Sequence, residues 1–115
     1  MKTAIDVARE IEQAARHFPW IVRIHLIDLT QYAVKYRLEL ARRETYIQIY
    51  VNVRNQTHGY ALVRRGKRIY GRDCEEGEWH RHPWDAPDQH EGSLEGRRAV
   101  SIARFLQEVE DYLDL

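Results

Sequence analysis

QYAVKYRLELARRETYIQIYVNV, residues 31–53, alternates with a period of two, twice over. Tyr32, Val34, Tyr36, Leu38 and Leu40 fall on one face, with Lys35, Arg37 and Glu39 on the other. After the polar link Arg42–Glu44, Ile47, Ile49, Val51 and Val53 alternate with Tyr46, Gln48, Tyr50 and Asn52. Successive strand side chains point to opposite faces, so each run is a strand with one dry and one wet side. A link of three residues permits only antiparallel pairing, because a parallel crossover takes a dozen or more. An antiparallel sheet is therefore the expected frame.

Working outward, Val22, Ile24 and Leu26 alternate with Arg23 and His25 to give an earlier strand. The polar stretch Asn55–Gly59 makes the turn after residue 53, Tyr60–Arg64 reads as a fourth strand, and Arg65–Lys67 as a Gly-centred hairpin leading to a fifth strand over Arg68–Asp73. Before the sheet, Thr3 and Asp6 have capping-box spacing, and Ala4, Ile5, Ala8, Ile11, Ala15 and Phe18 recur at helical spacing up to Pro19, predicting a helix over 4–17. After it, Ser101 caps a second helix with the apolar stripe Ile102, Phe105, Leu106, Val109 and Leu113, and Val100 and Phe105 stand where a hydrophobic staple places them. The expectation is a single α+β domain over 1–115, a five-stranded antiparallel meander with both helices packed on one face. Its opposite face, carrying Arg23, His25, Lys35, Arg37, Gln48, Tyr46 and Tyr50, has no cover in the sequence.

A chain of 115 residues, 43% hydrophobic, supports one modest core and leaves no room for a second domain. The longest uncharged apolar run, Phe18–Val22, is far short of a membrane span, and the charged N-terminus is unlike a signal peptide, so a cytoplasmic protein without membrane association is expected. Cys74, the lone cysteine, can form no internal disulfide. The net charge is zero, but the signs are segregated: six Arg or Lys and no acid between Arg54 and Arg72, then eight Asp or Glu against Arg81 alone from Asp73 to Glu95. That pattern excludes a pervasively basic nucleic-acid packer and leaves room for a local phosphate-binding patch at Arg64, Arg65, Lys67, Arg68 and Arg72.

Where the sign flips, GRDCEEGEWHRHPWDAPDQH (71–90) holds three of the six histidines and two of the three tryptophans. Pro83 biases His82 toward extended backbone, where His80 and His82 project to the same side. Three readings fit. A divalent metal can be held by His80 and His82 with His90 or Asp73. Alternatively, two imidazoles cleave a phosphodiester without metal, one taking a ribose 2'-hydroxyl proton and the other protonating the leaving oxygen, with Arg81 or Arg72 stabilising the phosphate. That chemistry suits His82 with His90, or either with His58, better than His80 with His82. The third reading is structural, with Trp79 and Trp84 packed over the sheet edge and the histidines bonding local carbonyls.

The run from Tyr60 to Tyr112 resembles the TumE-like family of prokaryotic toxins: a basic Gly hairpin, a strand ending Gly71-Arg72-Asp73, then His80-Arg81-His82-Pro83, then Ser101-Ile102-Ala103-Arg104-Phe105-Leu106. The resemblance covers about the last half of the chain and is specific at Asp73 and His80-Arg81-His82. It implies the toxin half of a toxin–antitoxin pair, partnered by a helix-turn-helix antitoxin; together with the histidine segment the expectation is action on RNA, and the alternative is a noncatalytic module that docks a protein through the sheet face or the histidine segment. The family has an Asp-Asn pair before its HxH, and here Cys74 stands in place of the Asn.

Overall fold

The structure, a computed structural model, describes residues 2–115. α1 (Ala4–Ala15) leads into β1 (Ile21–Leu29), β2 (Ala33–Leu40), β3 (Thr45–Asn52), β4 (Thr57–Arg64), β5 (Lys67–Glu75) and β6 (Glu78–His82), and α2 (Ile102–Leu113) closes the chain. Each strand pairs antiparallel with the next, giving one sheet in the order β1 to β6. The α+β architecture and the helix–sheet layering are as expected. The strand count is six rather than five.

β6 is not legible in the sequence, because its turn and its composition are both atypical. Glu76 and Gly77 take positive φ, 52° and 85°, as a two-residue type I′ hairpin demands. Glutamate is not a residue that announces such a turn, and Glu78-Trp-His-Arg-His has little of the branched apolar content that marks a strand. The β4–β5 hairpin has the same form at Arg65 and Gly66, where the glycine made it legible.

The capping box at Thr3 and Asp6 forms in both directions. α1 ends at Ala15, earlier than the expected residue 17, and the chain turns through His17 and Phe18 into Pro19. One face of the sheet meets both helices. Val34, Tyr36, Leu38 and Leu40 of β2 and Ile47, Ile49 and Val51 of β3 pack with Val7 and Ile11 of α1 and with Phe105, Leu106 and Val109 of α2 in a continuous core. In β1, Ile24 and Leu26 lie opposite Leu38 and Tyr36 as the alternation requires. Register shifts interrupt β1 near Val22 and Ile27, and Val22 is 55% exposed. Bulges of this kind at a free sheet edge discourage edge-to-edge pairing.

Arg72 is the exception inside the core. It faces the helices from the middle of β5 and is 0% exposed. Its Nη2 and Nε donate to the Glu108 carboxylate of α2 at 2.7 and 3.2 Å, and its Nη1 donates to the Glu95 carbonyl at 2.8 Å. Tyr70 donates to the same carboxylate at 2.7 Å. Burial works against the guanidinium charge, but the bonds and charge of Glu108 outweigh it, and Arg72 is held above its ordinary pKa. Tyr70 stacks with Trp84 at 5.0 Å, and Trp84 meets Tyr112 of α2 at 4.1 Å, so the segment after β6 is pinned to α2 as well.

Two outcomes follow from this layout. Amide exchange in β2 and β3 is among the slowest in the chain, since neighbours pair them on both sides; fast exchange across Ile47–Val53 contradicts the topology. Glu108→Ala, which strands a buried guanidinium, lowers unfolding free energy by about 3–5 kcal/mol, whereas replacing Arg72 and Glu108 together by Met and Leu costs much less. Denaturant melts distinguish the two.

Candidate active site

β6 alternates as strictly as β2. Trp79 and Arg81 point to the helix side, and His80 and His82 to the open side, because their cross-strand partners Cys74 and Arg72 face the helices while Asp73 and Gly71 do not. The register then lays out two rows across the open face. One runs Lys35, Tyr50, Gly59, Asp73, His80, and the next Arg37, Gln48, Ala61, Gly71, His82. A strip of small residues, Gly59, Ala61 and Gly71, thus separates a basic and aromatic wall from an acidic and imidazole wall. Adjacent strands lie about 4.8 Å apart, so Tyr50 and Asp73 are roughly 10 Å from each other across Gly59.

The imidazole wall is compact. His82 is 1% exposed; its Nδ1 lies 2.9 Å from the Pro87 carbonyl and its Nε2 2.7 Å from Asp73 Oδ2. A carbonyl only accepts, so Nδ1 carries a proton. His90 comes from the segment after β6 and stands edge-on to His82, ring centroids 4.5 Å apart, while its other side stacks on His80 at 5.3 Å. Nitrogen or oxygen donors of Asp73, His82 and His90 all lie within 4.8 Å of one another, so among the described residues these three are placed to share a metal, and His80 is outside that group. Arg68 lies down across the strip. Its Cδ is 3.3 Å from where a Cβ on Gly71 would stand, and its Nη1 reaches 3.9 Å from Asp73 Oδ2. Gly71 is needed for that approach, since a Cβ there also meets the Tyr60 carbonyl oxygen at 3.0 Å.

The segment carrying Pro87 and His90 is clipped to the far edge of β6. Arg81 and Glu91 exchange backbone hydrogen bonds, and the Arg81 guanidinium holds the Glu91 carboxylate at 2.5 and 2.7 Å. Those bonds, with a further one from Ser93, hold the Glu91 carboxyl down to a pKa of about 2. Beyond the clip the chain passes Gly96, where a Cβ would stand 2.5 Å from the Glu91 carbonyl oxygen, so only glycine fits.

Of the candidate residues, Asp73, His80, His82, His90 and Arg68 are brought together, and the others are not. Arg72 does not lie on a nucleic-acid surface: β-alternation turns it inward to Glu108. Arg81 is likewise on the opposite face from the histidines and is spent on Glu91. Arg64, Arg65 and Lys67 sit at the hairpin, with Lys67 six residues and about 20 Å along β5 from Asp73, and Arg65 pairs with Glu44 at 3.1 Å. His58 faces the helices, packed on Trp79 at 5.2 Å, and burial pushes its pKa below the usual value; it cannot meet His82 across the sheet. Glu91, Pro87 and the small strip were not foreseen. The alternation Trp79-His80-Arg81-His82 is the signal that separates the two faces, once β6 is recognised as a strand.

The chain matches no family model, no curated protein and no solved structure. No helix among the described residues is long and apolar enough to cross a membrane.

Because the folded state holds Glu91 ionised below its ordinary value of 4.5, the clip contributes stability above that pH and loses it as pH falls from 4.5 toward about 2. Tryptophan fluorescence is expected to report release of the Trp84 segment over that interval. Glu91→Gln abolishes the acid step and loosens the segment at neutral pH; an unchanged acid profile in that variant contradicts the assignment.

Proposed function

We propose that the protein is a small RNA-directed phosphodiesterase, the toxin member of a toxin–antitoxin pair, with its reacting centre at His80 and the adjoining cluster of Asp73, His82 and His90. The observation that carries this reading is the paired cross-strand rows. They set Tyr50, Gln48 and Arg37 on one side of a Gly-Ala-Gly strip and the acid–imidazole cluster on the other. Gly59 and Ala61, both partly exposed, admit a sugar–phosphate backbone close to the sheet, while Gly71 lies buried beneath Arg68. Tyrosine rings beside it give stacking surfaces that accept any base, each worth about 1–3 kcal/mol. Arg68 is the cation placed to meet the phosphate, since its guanidinium already approaches Asp73 without a close bond to it.

His82 is not the general base in this scheme. Both of its nitrogens face acceptors inside the fold, so it holds Asp73 rather than exchanging protons with a substrate. Proton transfer falls to His80, which is half-exposed at the rim of the same row as Asp73.

A second reading, a noncatalytic module docking a protein such as the helix-turn-helix antitoxin, is favoured by one feature. The free edge strand exposes Val22, Leu26, Ile27 and Leu29, and Ile5 of α1 is exposed too.

A labelled single-stranded RNA assay, run alongside growth arrest in cells, separates the two readings. His80→Ala is expected to lower cleavage by roughly 10²–10⁴ and to relieve toxicity, with His17→Ala silent. Full toxicity in the His80→Ala and Asp73→Asn proteins leaves the docking reading in its place.

A further inference from the structure

We infer that Asp73, His82 and His90 are the protein ligands of a single divalent transition-metal ion, bound with coordination positions open toward the small-residue strip. The inference rests on the phosphodiesterase reading for the ion's part in the reaction, while binding of the ion itself is tested without RNA.

Three observations converge on it. The first is the tautomer of His82. Its Nδ1 donates to the Pro87 carbonyl at 2.9 Å, so in the neutral ring the Nε2 lone pair faces Asp73 Oδ2 at 2.7 Å. Two electron-rich atoms at that distance need positive charge between them, either a second proton or a metal. Histidine ligands of metals characteristically give their other N–H to a backbone carbonyl or carboxylate, which fixes the ring and raises its basicity.

The second is His90. A proton shared by His82 and Asp73 leaves His90 without a part, yet its ring is edge-on to His82 at 4.5 Å, and its donor lies within 4.8 Å of both other donors. An ion uses all three. Ligand bonds of 2.0–2.2 Å in a tetrahedral arrangement separate donors by roughly 3.3 Å, so the His82–Asp73 contact of 2.7 Å opens by about 0.6 Å and donors as far as 4.8 Å apart close by up to about 1.5 Å.

The third is the graded exposure. His82 forms a buried floor, Asp73 is partly covered and His90 is at the surface, so protein closes one side of the site and the other stays free. Three protein ligands with open positions are the pattern of catalytic rather than structural sites. Two imidazoles and a carboxylate, without sulfur, suit zinc and the other divalent first-row ions. Cys74 takes no part: it faces the helices, its Sγ 3.6 Å from the Gln56 carbonyl, and burial raises its pKa. His80 is excluded as a ligand although it shares the HxH spacing; it stacks on the flank of His90. Arg68 stands 3.9 Å from Asp73 on the open side, where it meets an anion bound to the ion's free positions.

The test is titration of the chelator-stripped full chain with Zn(II) and with Co(II), followed by calorimetry and visible absorption. One ion per chain is expected. Asp73→Asn and His90→Ala weaken binding at least about 100-fold, the upper end of what an outer-sphere partner alone costs. His80→Ala keeps the parent affinity. Both ligand variants change groups on the open face, and an unchanged thermal melt of the stripped proteins shows that they fold. Failure of the stripped parent to bind either ion overturns the inference; so does parent-like affinity in His90→Ala, or loss of binding in His80→Ala. RNA cleavage that persists in excess chelator overturns the ion's part in the reaction. Binding at these three ligands with no RNA cleavage supports the ion and overturns the RNA substrate instead.

Discussion

The buried pairing of Arg72 with Glu108 is the constraint on which the rest of the molecule turns. A guanidinium with no solvent exposure is held from three directions: both carboxylate oxygens of an α2 residue and the Glu95 carbonyl of the segment after β6. Desolvating such a pair costs about as much as its attraction returns, so it is better understood as a device for specificity than as a store of stability. What it specifies is register. A one-residue slip of β5 turns Arg72 to the open face and Asp73 into the core, and only the observed register satisfies both. The same bonds fasten α2 and the following segment, which brings His90 to Asp73.

Much of the frame was legible because it obeys simple periodicity. Tyr32–Leu40 and Ile47–Val53 alternate in sequence without interruption, and buried and half-buried positions follow that alternation over Ala33–Leu40 and Thr45–Asn52. β1 was legible in face but not in detail, since the shifts near Val22 and Ile27 leave apolar side chains in solvent that alternation would bury. β6 was hidden because its side chains are chosen for chemistry and partnering rather than for a dry face. Read as loop, the segment shows no alternation that sends His80 and His82 one way and Arg81 the other.

The site itself was legible as a composition and not as an assembly. Asp73, His80, His82 and His90 stand out as residues, but which of them meet depends on the Pro87 carbonyl, on the Arg81–Glu91 clip and on Gly96, and no local rule connects these. The basic hairpin misled for a related reason. Arg64 and Arg65 belong to β4 and its turn, Lys67 to Arg72 spans about 17 Å of β5, and the bulge at Ile69 sends Arg68 and Arg72, four residues apart, to opposite faces. Only Arg68 both faces the open side and reaches back to Asp73.

The central claim is that the fold holds His82 in one tautomer, with Nε2 presented to a shared centre at Asp73 and His90. Imidazole nitrogen-15 spectra of the zinc-loaded protein measure this directly. The account predicts a His82 ring protonated at Nδ1 and metal-bound at Nε2, a second ligated ring at His90, and a His80 ring unaffected by zinc. A ligated His80 beside a zinc-indifferent His90, or a His82 ring that keeps protons on both nitrogens when zinc is added, contradicts it.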